Sequence, residues 1–196
     1  MLALQGDFEA HARMLSALGA EPRVVREPAD LAGLDALVIP GGESTTMTLG
    51  VEREGLAEPL RELVRAGTPT LGTCAGLIML DRDHLDLLDM RAERNAFGRQ
   101  VASFEEELEL ALAGASAPTR VRAVFIRAPW VAEHGEEVDV LASVRGRPVA
   151  VRQGDVLAVS FHPEIAAEDR LHRWLLERAA VRGERRADDR PAPVSG

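Results

Sequence analysis

The chain has 196 residues, a formal net charge of -9 and one cysteine. A chain of this length suits a single domain that buries about 70% of the surface of its unfolded state. The acidic balance argues against nucleic acid and anionic membranes as partners. Because one cysteine cannot form an internal disulfide, and no apolar run reaches the length of a membrane span or a signal peptide, we expect a cytoplasmic protein.

The start of the chain predicts a strand followed by a helix. Residues 1–4 are apolar and predict a short buried strand. Apolar residues then recur at helical spacing, at positions 8, 12, 15 and 18. We expect Asp7 to cap this helix and Gly19 to end it. A second, modest strand is predicted at 23–26.

A glycine-rich loop follows the next predicted strand, residues 36–39. Its sequence is Pro40-Gly41-Gly42-Glu43-Ser44, directly before a predicted helix. Two glycines between a strand and a helix expose backbone N–H groups that can face an anion. A simple glycine turn with Ser44 as the helix cap explains the same residues, and both interpretations can hold together. A further helix, with Pro59 in its first turn, is predicted to end at Gly67.

The cysteine lies in the segment Gly72-Thr73-Cys74-Ala75-Gly76, between a short apolar run and a longer one. This is the G-x-nucleophile-x-G pattern of a nucleophile elbow, in which a strand turns abruptly into a helix. The helix start supplies partial positive charge and free N–H groups, which stabilise a thiolate and later an oxyanion. A lone cysteine is otherwise more often a small buried hydrophobe, so the elbow needs a base elsewhere in the chain.

Loops and strands of mixed character follow the elbow. We expect residues 81–89 to form a polar surface connection in which His84 is solvated. Residues 93–100 have little strand or helix periodicity and favour a charged loop. Alternating acidic and apolar residues at 104–112 predict a strand with one solvated face, and 121–126 predict a further strand.

A histidine and a glutamate follow the last predicted strand, two positions apart. The chain before them predicts antiparallel hairpins, with strands at 138–144, 148–152 and 156–161. The proline between His162 and Glu164 favours an extended or turn conformation, so both side chains point to the same side. Alone, this tripeptide is equally consistent with a surface turn. Paired with the elbow, it predicts a nucleophile in Cys74, a general base in His162 and an orienting carboxylate in Glu164.

The chain ends in a predicted helix and a tail. Residues 168–181 form an amphipathic pattern with acids early and arginines late, which suits the helix dipole. The following residues mix charges with proline and small residues, which predicts a disordered tail at 183–196 and one folded domain at 1–182. The remaining histidines lie among polar or charged neighbours and receive no role: His11, His134 and His172.

Six segments resemble, in the same order, the glutaminase subunits of pyridoxal phosphate synthase. They are ALQGDFEAH near the start, PGGESTTM at 40–47, GTCAG at 72–76, ERNAFGRQ at 93–100, VFIRAP at 124–129 and SFHPE at 160–164. These subunits belong to the triad (class I) glutamine amidotransferases, and the resemblance spans nearly the whole chain. It implies an α/β fold, a flavodoxin-like three-layer sandwich around a mostly parallel central sheet, with a nucleophile elbow.

The resemblance also implies a binding site for L-glutamine. The implied substrate contacts are Gly42, Glu43, Ser44, Arg94, Ile126 and Arg127. An arginine suits this substrate because its planar fork can grip the α-carboxylate with two bonds. The implied oxyanion hole consists of backbone N–H groups of Gly42 and Ala75. The resemblance places Gln5 nearby, although a polar residue that closes a strand explains Gln5 equally well.

The implied reaction has two parts. Glutamine is hydrolysed to glutamate and ammonia through a γ-glutamyl thioester on Cys74, without a metal or a bound cofactor. The ammonia passes to a barrel-shaped synthase subunit in a hetero-oligomeric complex, which uses a pentose phosphate and a triose phosphate to make pyridoxal 5′-phosphate. In the resembled family the glutaminase is poorly active until the synthase docks.

Three alternatives remain open at this point. A glutaminase that serves a different synthase, such as one for purines, would share the elbow and the H-P-E tripeptide, but ERNAFGRQ and FIRAP argue against it. A cysteine hydrolase or peptidase on the same kind of sheet would use a triad without a partner. An inactive scaffold partner usually lacks a triad member, and none is missing here.

Overall fold

The computed structural model describes residues 1–94, 103–112 and 118–188. Its helices are α1 (Phe8–Ala17), a 3₁₀ turn (Pro28–Leu31), α2 (Ser44–Arg53), α3 (Ala57–Arg65), α4 (Ala75–Met79) and α5 (Arg170–Asp188). Its strands are β1 (Leu37–Ile39), β2 (Thr70–Thr73), β3 (Met90–Glu93), β4 (Ser103–Leu110), β5 (Thr119–Ile126), β6 (Trp130–His134), β7 (Asp139–Val144), β8 (Arg147–Gln153) and β9 (Val156–Val159).

A five-stranded mixed sheet, in the order β1-β2-β9-β8-β7, forms the centre of the molecule. The neighbouring strands β1, β2 and β9 are parallel, and β8 and β7 continue the sheet in antiparallel pairing. The predicted α/β class and the predicted hairpins are confirmed. Thr73 at the end of β2 pairs with Val159 at the end of β9, so both strands end at the same edge of the sheet. Open parallel sheets bind their ligands at such carboxyl edges.

The N-terminal segment extends the sheet beyond β1. The Leu2 N–H donates to the Val38 carbonyl at 2.9 Å, and Leu2 also forms a single parallel bridge with Val25. The two strands predicted here are therefore much shorter than expected. The chain leaves the sheet early because Gly6, at φ 97°, turns it towards α1.

Helices cover both faces of the sheet, as the predicted three-layer sandwich requires. Successive strand residues point to opposite faces. Leu37 and Ile39 therefore pack into the core beneath α2, α3 and α4, whereas Val38 packs into the core beneath α1 and α5. The helices contribute Met47, Val51, Leu60, Val64 and Leu77 to the first core, and Leu15, Leu171, Trp174 and Leu175 to the second.

Two small antiparallel sheets, β3–β6 and β4–β5, flank the central one. In β4 the acidic residues are exposed while Leu108 and Leu110 are buried, which confirms the predicted strand with one solvated face. The β3–β6 pair was not predicted. Of the loop predicted at 93–100, residues 95–100 lie outside the described residues.

The segment 81–89 is the predicted irregular connection, but part of it is anchored to the core. Asp81 is 1% exposed, accepts the Ala92 N–H at 3.1 Å and lies 2.7 Å from His84 Nδ1. Leu85 is buried beside it. His84 is therefore held by a buried carboxylate rather than solvated.

The final helix extends further than the helix predicted at 168–181. α5 runs to Asp188 and so includes residues 183–188, which were assigned to the tail. Gly183 does not end the helix, because the Glu, Arg and Ala residues around it favour helical structure. Residues 189–196 lie outside the described residues. In the described part of the chain, no helix combines the length and the apolar character needed to cross a membrane.

Candidate active site

Cys74 occupies the sharp turn between β2 and α4. Its backbone has φ 48° and ψ −107°, a positive φ that a residue with a Cβ rarely adopts. The turn is held against the neighbouring strand, because the Cys74 N–H donates to the Val159 carbonyl at 2.8 Å. Cys74 is 8% exposed. The predicted nucleophile elbow is therefore present in the backbone.

The two glycines of the elbow pattern allow α4 to lie against the sheet. A Cβ on Gly76 would overlap the carbonyl oxygen of Ile39, and a Cβ on Gly72 would lie 2.5 Å from the Leu80 side chain. Real Cβ atoms do not approach other heavy atoms so closely. Any other residue at either position would push the helix start, and with it Cys74, away from β1 and β2.

His162 and Glu164 follow β9 and contact each other as predicted. His162 Nδ1 lies 2.6 Å from Glu164 Oε1, and the Glu164 side chain is 1% exposed. The backbone of His162 is fixed as well, because its N–H donates to the Val124 carbonyl at 2.8 Å. Since β2 and β9 are adjacent and end at the same edge, the histidine reaches the elbow from the neighbouring strand.

The surroundings of His162 favour its protonated form. Burial, the strongest single effect, lowers the pKa of His162, but its hydrogen bonds with Cys74 and Glu164 outweigh burial and raise that pKa to about 10. Burial likewise raises the pKa of Glu164, whereas the hydrogen bond from His162 and the nearby His11 bring it below its usual value. These shifts describe an imidazolium on His162 paired with an ionised Glu164 carboxylate.

Gly41 leaves the space beside both reactive side chains. A Cβ at this position would lie 2.6 Å from His162 Cε1 and 3.3 Å from the Cβ of Cys74. The glycine-rich loop after β1 therefore forms the wall against which the cysteine and the histidine meet.

A cleft of about 500 Å³ opens above this wall. Cys74 and His162 line it, and Glu164 lies behind His162. Every residue predicted for substrate binding or for the oxyanion hole also lines it: Gly42, Glu43, Ser44, Ala75, Arg94, Ile126 and Arg127. The structure thus brings together residues from five separate segments of the sequence, while their individual roles stay predictions.

Comparison with known protein families matches residues 1–181 to the SNO glutamine amidotransferase family. The chain belongs to this family. A relative from Frankia alni, named pyridoxal 5′-phosphate synthase subunit PdxT, is 51% identical over 186 residues, which cover 90% of this chain and 92% of the relative. A relative of the same name from Geobacillus kaustophilus is 49% identical over 183 residues, with 90% and 91% covered. A crystal structure described as a glutamine amidotransferase is similar with a TM-score of 0.83 and 46% identity, over 91% of this chain and 97% of that one.

The amidotransferase chain closes one side of the cleft with Gln5 and Gly6. Gln5 Oε1 accepts the backbone N–H of Glu43 at 2.5 Å, and a Cβ on Gly42 would overlap the same amide oxygen. A Cβ on Gly6 would overlap the Gly41 carbonyl. The chain before α1 therefore packs directly on the loop predicted to form the oxyanion hole, which agrees with the implied position of Gln5.

Glu43, and not Ser44, caps α2. Its carboxylate accepts the N–H groups of Thr45 at 3.1 Å and Thr46 at 2.7 Å, together with the Thr46 hydroxyl at 2.9 Å. These bonds, with the Thr46 N–H foremost, lower the pKa of Glu43 to about 2. Ser44 is the buried first residue of the helix, so the prediction of a serine cap was wrong. A glutamate can cap here because its longer side chain folds back onto the first turn.

Two arginines line the cleft opposite the elbow. Arg94 Nη1 donates to the Thr45 hydroxyl at 3.1 Å, which fixes the side chain on the first turn of α2. Arg127 follows β5 with φ 44°, a strained conformation that is common at functional sites. Both cationic side chains border the space in front of Cys74.

His11 and His172 lie in the core, although their polar or charged neighbours in the sequence favoured the surface. Both are fully buried, and His11 Nε2 lies 3.3 Å from Glu164 Oε2. His11 Nδ1 lies 2.8 Å from His172 Nε2. Helical periodicity could have predicted that both histidines are buried. His11 is four residues before Leu15 and His172 is three residues before Leu175, and both leucines lie on inward faces.

Asp7 is a further residue of the site that the sequence misassigned. It precedes α1 but makes no capping hydrogen bond with its side chain. Its carboxylate lies within 4.8 Å of ligand atoms of His162 and Glu164. Among the described residues these three side chains have the composition of a metal site, but the direct hydrogen bond between His162 and Glu164 already accounts for two of them.

A larger cleft of about 740 Å³ lies between α1 and α5. It is lined by apolar residues and a few charged ones, and among the described residues no cysteine, histidine, serine or threonine borders it. Nucleophilic chemistry therefore belongs to the smaller cleft at the elbow.

Proposed function

We propose that the protein is a glutaminase that hydrolyses L-glutamine to L-glutamate and ammonia as a subunit of pyridoxal 5′-phosphate synthase. The observation that carries this proposal is a cysteine on a strained turn between strand and helix, beside a histidine whose Nδ1 lies 2.6 Å from a buried glutamate. Membership of the amidotransferase family and the shared name of relatives 49% and 51% identical support the same reaction.

The reaction begins when the Cys74 thiolate attacks the side-chain amide carbon of glutamine. The negative charge that develops on the carbonyl oxygen is stabilised by the backbone N–H groups of Gly42 and Ala75. His162, held as an imidazolium, gives its proton to the departing ammonia. A γ-glutamyl thioester on Cys74 remains.

His162 changes its role in the second half of the reaction. The interaction with Cys74 is one of the effects that raise the pKa of His162. Conversion of the thiolate into a neutral thioester removes this effect, so the pKa of His162 falls. The neutral imidazole then takes a proton from water, which attacks the thioester and releases glutamate. Glu164 keeps the ring oriented through both steps.

Substrate recognition falls to the groups around the cleft. Arg94, fixed on α2 by Thr45, is placed to form two bonds with the α-carboxylate of glutamine. The remaining proposed contacts line the same cleft: Gly42, Glu43, Ser44, Ile126 and Arg127. Because the Glu43 carboxylate already caps α2, its contribution to binding comes from the backbone.

The proposed partner is the barrel-shaped synthase subunit of a hetero-oligomeric complex in the cytoplasm. The names of the relatives, as subunits of pyridoxal 5′-phosphate synthase, support this assembly. Ile126 and Ile165 border the cleft and are 37% and 50% exposed. Docking of the synthase there would remove apolar surface from water and enclose the ammonia at its source.

The test is glutamate release from glutamine, measured with the purified protein alone and with the matching synthase subunit. We expect release that the synthase stimulates strongly, and none from Cys74→Ala, whose circular dichroism and melting temperature stay close to those of the wild type. Turnover by Cys74→Ala would refute the nucleophile. No release by a folded wild-type protein that binds the synthase would indicate a scaffold, and product analysis with purine synthases would detect a different assembly.

A further inference from the structure

We infer that His11 is a positioning residue of the glutaminase site, which holds the second oxygen of Glu164 while His172 fixes the tautomer of His11. The inference rests on the proposed function for its link to turnover. Its geometry does not depend on the identity of the substrate.

Glu164 sits between two imidazoles. His162 Nδ1 lies 2.6 Å from Oε1, and His11 Nε2 lies 3.3 Å from Oε2. A buried carboxylate needs a donor at each oxygen, because it has lost its water. Within the described residues no group forms a standard hydrogen bond with Oε2, so the longer contact with His11 supplies the donor that this oxygen faces.

The protons of this cluster follow from the charge of Glu164. An ionised carboxylate can only accept, so His11 must carry its proton on Nε2. His11 Nδ1 is then an acceptor, and His172 Nε2, 2.8 Å away, must be the donor. Burial lowers the pKa of His11 and lowers that of His172 to about 4, so both rings are neutral near pH 7. The result is one ordered series of hydrogen-bond donors, from His172 on α5 through His11 on α1 to Glu164.

Other polar and charged groups also face the cluster. The Thr73 hydroxyl, which belongs to the residue directly before the nucleophile, lies 3.3 Å from His11 Nε2 and shares its N–H with Glu164. Glu164 and Asp7 favour a positive charge on His11, whereas burial and His162 disfavour it. Near His172 the acidic neighbours are Asp169 and Glu164, and His11 opposes its protonation.

A purely structural contact between α1 and α5 would not require these residues. Two buried imidazoles carry a desolvation cost that apolar side chains of the same size avoid. The chain of polar atoms nevertheless runs through the core and ends on the carboxylate that orients His162. Its effect is to keep Glu164 ionised and to prevent its rotation away from His162.

The test compares His11→Leu, which has no donor, with His11→Gln, whose amide can place an N–H near the position of Nε2. Leu15→Ala, on the same helix, is the matched control for lost stability, because Leu15 is a buried apolar residue of the core beneath α1 and α5. We expect His11→Leu to lower kcat by about 10- to 100-fold, the effect of one lost bond to an ionised group. KM should change little, His11→Gln should recover most of kcat, and Leu15→Ala should keep kcat while melting at a lower temperature.

The pH dependence of kcat separates a positioning role from a loss of stability, because lost stability alone would not shift it. Without His11 the pKa of Glu164 rises, so the acid-side fall of kcat in His11→Leu should shift to higher pH. A folded His11→Leu with wild-type kcat and profile would overturn the inference. Equal losses of kcat in His11→Leu, His11→Gln and Leu15→Ala would overturn it as well, by showing a structural effect.

Alkylation of the protein by iodoacetamide separates this inference from the proposed function. Cys74 is the one cysteine of the chain, so the rate reports the thiolate paired with His162 even if glutamine is not the substrate. We expect His11→Leu to require a higher pH for fast alkylation than the wild type and His11→Gln. Identical pH profiles of alkylation in all three proteins would refute the positioning role, whatever the glutaminase assay gives.

Discussion

Gly41 leaves the space that His162 needs beside Cys74, so Gly41→Ala tests the geometry of the site directly. The added Cβ would lie 2.6 Å from His162 Cε1, roughly 1 Å closer than two carbon atoms pack without repulsion. The imidazole has no free direction in which to move, because Glu164 holds Nδ1 at 2.6 Å and Val124 holds the backbone. The ring must therefore shift relative to Cys74 or break its bond with Glu164.

A displacement of about 1 Å at a catalytic group corresponds to a loss of about 10²-fold in rate. We expect Gly41→Ala to lower kcat by this factor in the synthase-stimulated assay, and to lower the free energy of unfolding by only about 1–3 kcal/mol, as for other overpacked sites. Gly183→Ala is the control, since a Cβ there meets nothing within 4 Å and it should turn over normally. A Gly41→Ala enzyme with wild-type kcat would refute the argument that Gly41 sets the position of His162.

Three further predictions follow from the electrostatics of the site. Glu164→Gln should lower kcat by about 10²- to 10⁴-fold with the fold retained, because the amide cannot stabilise the His162 imidazolium; near-normal turnover would remove the orienting role. The pKa of Glu43 lies near 2, below its usual 4.5, so its cap stabilises α2 above pH 4.5 and is lost as the pH falls towards 2. Urea unfolding of wild type and Glu43→Gln should differ at neutral pH and converge in acid. The pKa of His172 falls from its usual 6.5 to about 4, so unfolded chains bind more protons in that window. The free energy of unfolding should fall as the pH drops from 6.5 to 4, by about 3 kcal/mol at most, and His172→Gln should flatten this dependence.

The elbow and the H-P-E tripeptide were predictable because each is local. The turn at Cys74 is specified by glycines two residues away on either side, and the contact of His162 with Glu164 needs only a spacing of two in an extended segment. Their meeting in space depends on β2 and β9 being adjacent. The sequence contains no local trace of that pairing, and the strand order was not predicted.

The histidines behind Glu164 were missed for the opposite reason. His11 and His172 lie at opposite ends of the chain, and each has charged neighbours in sequence. A histidine between charges usually lies on the surface. Here the helical phase outweighs the neighbours, because both residues fall on the apolar stripe of their helix and must pack inward.

The sequence predicted which helices are present better than it predicted the residues at which they begin and end. Residues 183–188 were assigned to the tail, but a glycine ends a helix when it adopts a positive φ, and Gly183 is not among the residues that do. Ser44 was interpreted as a cap on residue type alone, whereas Glu43 reaches two N–H groups of the first turn from one position earlier. Such competition between neighbouring residues depends on side-chain reach, which composition does not encode.

The pairing of β2 with β9 sets the spacing of the two reactive side chains, Cys74 and His162. One rung of the hydrogen-bond ladder joins Thr73 to Val159, so the distance from sulfur to imidazole is set by counting residues along two strands. Adding or removing one residue in β9 would reverse the side-chain alternation and carry His162 about 3.3 Å along the sheet. The lengths of these two strands are therefore fixed by the catalytic spacing, while insertions in the outer hairpins would leave that spacing untouched.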